Sequence, residues 1–259
     1  LERKSGEVLQ LLRETQGHWQ EVTYQLFVRN FGFKVNQENM LLLAKFLPYR
    51  LVSRHVDNSF QLEALFFGMA GFLDRGEDPC QKQLKDEFDY LKKKYRLQTG
   101  FMQRYQWKFL RLRPQNFPTV RIAQLAIFLS LFKNIFSMIL GVNPRDHLLK
   151  EVPLVQSPYW VAHYDFGKKA GQPLAGLGET SKNNILINTF VPLLVAYAQY
   201  ADDDSFTENA IRLLENLAPE NNDRIRKWAR LGIRPENAAE SQGLIELYNG
   251  FCYKKQCLN

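Results

Sequence analysis

The sequence has few cysteines and lacks the short motifs that mark several common enzyme classes. Cys80, Cys252 and Cys257 are too few for a disulfide scaffold in a chain of 259 residues, which favours a reducing compartment, the cytoplasm. There is no glycine-rich phosphate loop, no G-x-S-x-G nucleophile elbow, no H-E-x-x-H zinc motif and no dinucleotide-binding fingerprint. These absences exclude the corresponding chemistries, and we predict no cofactor.

Acidic residues are absent from one long stretch of the chain. From Tyr90 to Arg145 there is no Asp or Glu, and the stretch holds eleven basic residues: Lys92, Lys93, Lys94, Arg96, Arg104, Lys108, Arg111, Arg113, Arg121, Lys133 and Arg145. The whole chain has 34 basic and 27 acidic residues, so its formal charge of +7 divides into +11 here and −4 elsewhere. Because local field rather than net charge attracts an anionic partner, this stretch is the first surface to test.

An uninterrupted apolar run of membrane-spanning length is also absent. The most apolar window, 122–142, contains Gln124, Lys133 and Asn134. A charge and an amide near the middle of a span cost on the order of a few kcal/mol in a bilayer, so we expect two buried helices and no membrane anchor. The first fifteen residues are charged and amphipathic, unlike a signal peptide, and without an initial Met the chain is expected to be part of a longer protein.

Apolar residues recur at helical spacing through most of the chain, and no segment alternates long enough to predict a strand. Start and stop signals predict helices over 19–31, 119–134, 181–200, 205–217, 222–231 and 238–252, with a kink at Pro192 in the third of these. Three further helices are predicted to begin at an N-cap residue. They run from Asn36 to Pro48, over 60–72 after Ser59, and from Asp78 to 95. We predict an all-α, irregular multi-helix globular body of nine to eleven helices. It carries a basic extended or loop insertion near 100–118 and a loop near 153–180, in a single domain, 1–259, with 167–180 as the candidate internal boundary.

The basic insertion interleaves cations with aromatic side chains. Phosphate neutralisation by Lys or Arg combined with stacking on aromatic rings is a common way to hold single-stranded nucleic acid. Alternatively, the lysines at 92–94 are a solvated helix face and the aromatic residues belong to the core. The candidate residues for binding an anion or nucleic acid are Arg104, Lys108, Arg111, Arg113, Asn116 and Arg121.

Three of these arginines, Arg111, Arg113 and Arg121, flank the turn at 114–119. Guanidinium groups bind phosphate or carboxylate in a bidentate manner. With Thr119 as N-cap, the following helix would leave free backbone N–H groups near them, which suits an anion. Alternatively, the arginines pair with carboxylates elsewhere in the chain, such as Glu63 or Asp165.

A second candidate is a polar cluster of Glu63, His163 and Asp165. A histidine and a carboxylate two residues apart serve acid–base chemistry or share a metal; the alternative is a buried, hydrogen-bonded histidine. His18, His55 and His147 stand alone, so no metal site is predicted from them.

Cys252 and Cys257 have the spacing C-x4-C. Two thiolates cannot complete a tetrahedral zinc site, so we interpret them as reduced thiols, with a truncated metal knuckle as the weaker alternative.

Several motifs carry a resemblance to a known family. The most specific are Arg111, Arg113-Pro114, Asn116-Phe117-Pro118-Thr119 and Arg121-Ile122-Ala123-Gln124-Leu125-Ala126; others are Asn30-Phe31-Gly32-Phe33, Leu47-Pro48, Tyr159-Trp160, His163-Tyr164 and Phe166-Gly167. Over essentially its whole length the chain resembles bacterial proteins, mainly from Bacteroidetes, that are catalogued as a domain of unknown function.

The resemblance implies that this chain is the C-terminal helical part of such a protein. It also implies an upstream part with acidic and Glu-x-His-like segments reminiscent of restriction-endonuclease-type nucleases, whose catalytic carboxylates lie outside this sequence. Members continue beyond the position of Cys257 with another cysteine. No activity is implied.

We therefore predict a helical binding module that contacts nucleic acid beside an upstream nuclease-like domain. Two alternatives stay open. One is an enzyme that acts on a small anion, with His163, Asp165 and Glu63 converging beside Arg113. The other is a structural or oligomerisation domain in which Arg113 and Arg121 are buried in ion pairs.

Overall fold

The computed structural model describes residues 1–74, 76, 78–98, 100–141 and 155–254. The chain divides into two compact units. The main unit comprises Leu11–Met138 and Lys150–Gly178, and the C-terminal unit comprises Leu1–Gln10, Ile139–Leu149 and Glu179–Asn259. The prediction of one domain over 1–259 stays a prediction.

Helices make up nearly all of the regular structure, which confirms the all-α prediction. They are α1 (Glu2–Glu14), α2 (Trp19–Phe31), α3 (Gln37–Phe46), α4 (Tyr49–Val52), α5 (Ser59–Met69), α6 (Pro79–Tyr95), α7 (Pro118–Leu131), α8 (Ile135–Leu140), α9 (Pro158–Ala162), α10 (Glu179–Ile185), α11 (Val191–Ala201), α12 (Ser205–Glu215), α13 (Asp223–Arg230) and α14 (Ala238–Leu247). The insertion near 100–118 contains two 3₁₀ turns, Arg104–Gln106 and Pro114–Asn116.

Side-chain caps explain where several helices begin. Asp78 accepts hydrogen bonds from the N–H groups of Cys80 (2.9 Å) and Gln81 (3.1 Å), so the predicted start of α6 is confirmed. The predicted cap Ser59 is wrong by one position. Asn58 accepts from the N–H of Gln61 at 3.1 Å, and Ser59 is the first helical residue.

Helix α7 also begins earlier than predicted. Pro118 stands in its first turn, where a missing N–H costs nothing, and the preceding Phe117 offers no side-chain cap. Thr119 therefore lies inside the helix, and its hydroxyl donates to the carbonyl of Tyr164 at 2.6 Å. The predicted Thr119 cap is wrong because the hydroxyl is used to hold α7 against another segment.

The predicted loop near 153–180 contains helix α9 and a small hairpin. Strands β1 (His163–Asp165) and β2 (Lys168–Lys169) pair antiparallel, with His163 opposite Lys169 and Asp165 opposite Lys168. Gly167 makes the connecting turn with a φ of +68°, a conformation that glycine adopts at little cost. The sequence did not indicate these strands, because two- and three-residue strands are too short to show alternation.

The main unit buries its aromatic residues between α2, α5, α7 and α9. Phe27 of α2 stacks on Phe128 of α7 with ring centroids 4.1 Å apart, and Phe67 of α5 stacks on Trp160 of α9 at 4.8 Å. Helix α5 is buried over most of its surface, so it is the centre of this core.

The C-terminal unit packs α11, α12, α13 and α14. Leu194, Leu213 and Leu214 are among its buried residues, and the indole N–H of Trp228 donates to the carbonyl of Leu244 at 3.0 Å. Pro192 does not interrupt a regular α-helix as predicted, because it follows a wider π-helical turn, Leu186–Phe190, which joins α10 to α11.

One described helical segment, Glu179–Ala201, is long and apolar enough to cross a membrane by length and composition. Within the protein 67% of its most apolar window is buried, as in an ordinary core helix. The apolar window that the sequence singled out, 122–142, lies instead on α7 and α8 as far as the described residues extend, and α7 is largely buried.

Candidate binding site

The basic insertion is fastened to the end of α5 by its backbone. The N–H of Met102 donates to the carbonyl of Met69 at 2.8 Å. Gly71 has a φ of +74°, and a Cβ at this position would lie 2.2 Å from the carbonyl oxygen of Met102. Only glycine permits this approach, so the sequence fixes the insertion beside α5 at this point.

Side chains from α3 and the segment before it hold the next part of the insertion. The amide of Asn36 donates to the carbonyl of Lys108 (2.9 Å) and accepts from its N–H (2.9 Å). Asn39 donates to the carbonyl of Gln106 at 2.8 Å. Asn36 occupies the predicted N-cap position of α3, but its side chain makes no cap bond. The paired bonds to Lys108 imitate a strand pairing and set the path of the chain.

Aromatic residues complete the anchorage. The indole N–H of Trp107 donates to the carbonyl of Ala70 at 2.9 Å, and the indole is buried. Phe109 packs edge-to-face between Phe72 and Phe117, with centroid distances of 6.2 and 5.1 Å. Trp107 therefore belongs to the core, as the alternative interpretation of the sequence expected, whereas Phe109 and Phe117 are half-buried.

Alternate residues of the same segment face solvent. We call residues 104–113 the display loop. Tyr105 is 85% exposed and Leu110 is 84% exposed, and the cations Lys108, Arg111 and Arg113 are exposed as well. The loop is thus held by buried anchors while it presents an aromatic ring and three positive charges.

Arg111 adopts an unusual backbone conformation at the tip of the display loop. The N–H of Leu112 donates to the carbonyl of Phe109 at 3.2 Å, which closes a turn with Arg111 in its third position. Arg111 has a φ of +63°, where glycine or asparagine is normally preferred. The protein keeps a charged side chain at a position where glycine would be less strained.

Arg104, by contrast, is engaged in an ion pair. Its guanidinium donates to Oδ2 of Asp165 at 2.5 Å and lies over the rings of Phe72 and Phe109, 5.2 and 5.0 Å from their centroids. Lys168 approaches the same carboxylate oxygen at 3.4 Å. From the sequence, Asp165 is a candidate partner for Arg111, Arg113 or Arg121. The arginine that pairs with Asp165 is Arg104 instead.

Arg121 is enclosed and does not share the exposed surface of the display loop. Its guanidinium donates to Oε1 of Gln124 (2.8 Å) and Oδ1 of Asn116 (2.6 Å) and lies 4.4 Å from the centroid of Phe33. Among the described residues, no carboxylate is hydrogen-bonded to it. Burial lowers the pKa of Arg121 to about 10, so it stays charged at neutral pH.

The remaining described cations of the acid-free stretch lie outside the display loop, and Lys92, Lys93 and Arg96 line a separate pocket at the end of α6. Lys92 lies 4.5 Å from the ring centroid of Phe101, and Lys133 pairs with Asp57. Lys93 and Arg96 are exposed near the end of α6. Arg145 lies outside the described residues, as does His147.

In the described part of the chain, no hydrogen bond links Glu63, His163 and Asp165 to one another. Nδ1 of His163 bonds the carbonyl of Tyr159 at 3.0 Å, and its ring stacks on that of Tyr159 at 4.1 Å. Asp165 faces Arg104 and Lys168. The three side chains have separate partners, and Arg113 is not one of them.

Glu63 is a buried acid with one oxygen, Oε1, that has no hydrogen-bond partner. Burial raises its pKa to about 7, although the side chains of Ser157 and Trp160 act in the opposite direction. Burial and the charges of Glu63 and Asp78 raise the pKa of the Cys80 thiol to about 12. Cys80 is therefore protonated at neutral pH and is no activated nucleophile.

Metal ligands are not grouped. Among the described residues no three His, Cys, Asp or Glu side chains are placed to hold a metal ion. Cys252 is half-buried at the end of the C-terminal unit, and Cys257 lies outside the described residues.

A pocket with a volume of about 1090 Å³ opens beside the display loop, within the main unit. Its wall combines Arg104, Tyr105, Trp107 and Phe109 from the loop with residues of two other segments: Gly71, Phe72, Asp74, Asp78, Pro79 and Gln81, and Asp165, Phe166, Gly167 and Lys168. The sequence singled out some of these residues but not Lys168, which the hairpin brings to Asp165.

The family comparison covers most of the chain. The model of a family described as a protein of unknown function (DUF2851) matches residues 1–223. The chain belongs to this family. Searches of curated proteins and of solved structures found no match. DUF2851 membership thus agrees with the resemblance that the sequence motifs carried, and it brings no activity with it.

Proposed function

We propose that the main unit of this DUF2851 protein is a binding module for single-stranded nucleic acid and that the display loop is its contact surface. One observation carries the proposal. The loop is held by two buried residues, Trp107 and Asn36, the second of which bonds to the backbone of Lys108. It nevertheless exposes Tyr105 together with Lys108, Arg111 and Arg113. Binding of a single strand requires an aromatic ring on which a base can stack and positive charge for the phosphates, and this fixed surface offers both.

Tyr105 favours a single strand over a duplex as the partner. A ring that is 85% exposed can stack on an unpaired base, whereas the bases of a duplex are stacked on each other and closed to it. The neighbouring cations would contact the phosphates on either side. The upstream nuclease-like domain that the resemblance implies would then receive a strand held by this unit.

The structure narrows the candidate set. Arg104 is paired with Asp165 at the wall of the pocket beside the loop, and Arg121 with its neighbour Asn116 lies away from the exposed surface of the loop. We therefore assign the phosphate contacts on that exposed surface to Lys108, Arg111 and Arg113. The alternative of an enzyme acting on a small anion has no geometric support of this kind, because His163, Glu63 and Asp165 have separate partners.

The test is binding of a fluorescein-labelled single strand of about 12 nucleotides, measured by anisotropy at salt concentrations of roughly 50 to 200 mM. We expect affinity to fall as salt rises, with a linear dependence on a logarithmic scale. Changing Lys108, Arg111 and Arg113 together to Gln removes three phosphate contacts. The slope of that plot should then decrease by about 2, at roughly 0.7 per contact for a single strand.

A charge-matched variant separates a local surface from a general charge effect. Arg13, Lys45 and Arg50 are exposed cations of the same unit that lie outside the loop, and their change to Gln lowers the net charge equally. This control should bind as the unmodified protein does. Equal effects of the two triple variants, or binding that salt does not weaken, would contradict the proposal.

A further inference from the structure

The pocket beside the display loop has the size and the groups of a nucleotide site. Its volume of about 1090 Å³ is slightly above the usual range for small-molecule pockets, which is roughly 300–1,000 Å³. We infer that this pocket holds one nucleoside monophosphate unit of the bound strand, with the phosphate on Arg104 and Lys168 and the base against Tyr105. The inference rests on the proposed function and names the part of the strand that is gripped.

Two cations at one wall supply the phosphate contact. Arg104 (2.5 Å) and Lys168 (3.4 Å) meet at Oδ2 of Asp165, whose other oxygen accepts from the N–H of Phe166 at 3.0 Å. Asp165 is only 3% exposed, so it is a fixed support for both cations. A guanidinium has five N–H donors and an ammonium has three, so each keeps donors for a phosphate after binding this carboxylate.

Two aromatic rings lie beside Arg104. The guanidinium rests on Phe72 and Phe109, which limits the directions in which it can reach. Tyr105 follows it in sequence, lines the same pocket and is mostly exposed. When the phosphate of a nucleotide is bound to Arg104, its base therefore lies on the side of the pocket where the Tyr105 ring is available for stacking.

The charge balance of the pocket selects against compact polyanions. Among the described residues, the carboxylates Asp74, Asp78 and Asp165 line it together with the two cations. Asp165 is matched by Arg104 and Lys168, and Asp78 accepts two N–H groups at the start of α6. Inorganic phosphate lacks donors for the carboxylates beyond its own protons, whereas a nucleotide brings sugar hydroxyls and base amino groups. A ligand that joins one phosphate to several hydrogen-bond donors fits best.

Calorimetric titration of the full chain with 5′-AMP, adenosine and inorganic phosphate tests the inference. We expect 5′-AMP to bind and each of the other two to bind at least about tenfold more weakly, since a charge-assisted contact is lost in one case and stacking in the other. Unlabelled 5′-AMP should also displace the labelled strand.

Adjacent lysines on β2 provide the matched variants. Lys168 lines the pocket and Lys169 does not, and both are exposed at the surface of the hairpin. Lys168→Gln should weaken 5′-AMP binding about tenfold or more, the loss of one charge-assisted hydrogen bond, while Lys169→Gln should leave it unchanged. A second pair, Tyr105→Ser and Leu110→Ser, should show the same contrast, because both side chains are exposed but only Tyr105 lines the pocket.

The outcomes separate this inference from the proposed function. A strand that binds through Lys108, Arg111 and Arg113 without any binding of 5′-AMP, or equal effects of Lys168→Gln and Lys169→Gln, overturns the nucleotide pocket and leaves the strand-binding proposal standing. Binding of 5′-AMP that depends on Lys168, with no binding of a strand, supports the pocket and rejects strand binding as the function.

Discussion

At the scale of single residues, Arg111 offers a direct contrast between stability and binding. A side chain with a Cβ in the left-handed region costs about 1 kcal/mol relative to glycine. Strained backbone positions persist where a particular side chain is needed for binding, and the positive φ of Arg111 fits a role of its side chain in contacting phosphate.

We expect Arg111→Gly and Arg111→Ala to weaken strand binding equally, since both remove the same cation. The glycine variant should nevertheless be more stable than the alanine variant by about 1 kcal/mol, because only alanine keeps the left-handed strain. Urea denaturation measures the stability difference and anisotropy measures the affinity. Identical stabilities would show that the backbone at this turn is unstrained, and unchanged affinity would remove Arg111 from the contact surface.

Arg121 illustrates a different use of a buried cation. Its contacts are two neutral amide side chains and an aromatic ring. The hydrogen bonds continue from there: Gln124 donates to Gln156 at 3.2 Å, and Gln156 donates to the carbonyl of Trp160 at 3.2 Å. Buried polar groups that are joined in this way fix the relative positions of the elements that carry them. Arg121 thus connects α7 to α9, the helix that leads into the hairpin with Asp165.

At the scale of elements, the display loop is an irregular segment whose shape is set by other elements. Its backbone is bonded to side chains of the α3 region, and Met102, just before the loop, is bonded to Met69 of α5. Such anchoring reduces the ordering entropy that a flexible loop would lose on binding. Loosening the anchors should therefore lower affinity without any change in the exposed charges.

Asn36→Ala tests this argument, because it removes both bonds to the backbone of Lys108. We expect a loss of about 1–2 kcal/mol in unfolding free energy, weaker strand binding and faster amide hydrogen exchange at residues 106–109. Asn222→Ala is the control, since it removes a helix cap in the C-terminal unit at a cost of about 1 kcal/mol. The anchoring argument fails if both variants alter exchange at 106–109 to the same extent.

At the scale of the whole molecule, local signals predicted the helices better than they predicted the site. Asp78 followed by Pro79 marks a helix start that depends on neighbouring atoms alone, and α6 begins there. Arg121 carries the same local signal as Arg113, yet one is enclosed and the other is exposed. Which cation is buried depends on how α7 packs, and the pairing of Lys168 with Asp165 depends on a hairpin too short for its sequence to announce.

Glu63 gives the molecule a pH dependence that can be isolated by difference. Its pKa is about 7 in the folded protein, against an ordinary value of 4.5, so between these values the unfolded chain releases a proton that the folded protein retains. Stability is therefore lost as pH rises, by roughly 1.4 kcal/mol per unit and about 3 kcal/mol in total, and the loss levels off above pH 7. Other groups titrate in the same range, and the basic chain repels itself more strongly in acid, which opposes this trend in the unmodified protein.

Glu63→Gln removes the one proton equilibrium and keeps the shape of the side chain. The stability of this variant minus that of the unmodified protein should rise steadily from about pH 4.5 to 7 and then stay constant, because the common contributions cancel. Chemical denaturation at several pH values measures the difference. Glu215→Gln, on the exposed side of α12, is the control for the loss of one carboxylate outside the core. A flat difference for Glu63→Gln would mean that Glu63 is not buried as an acid in the core of the main unit.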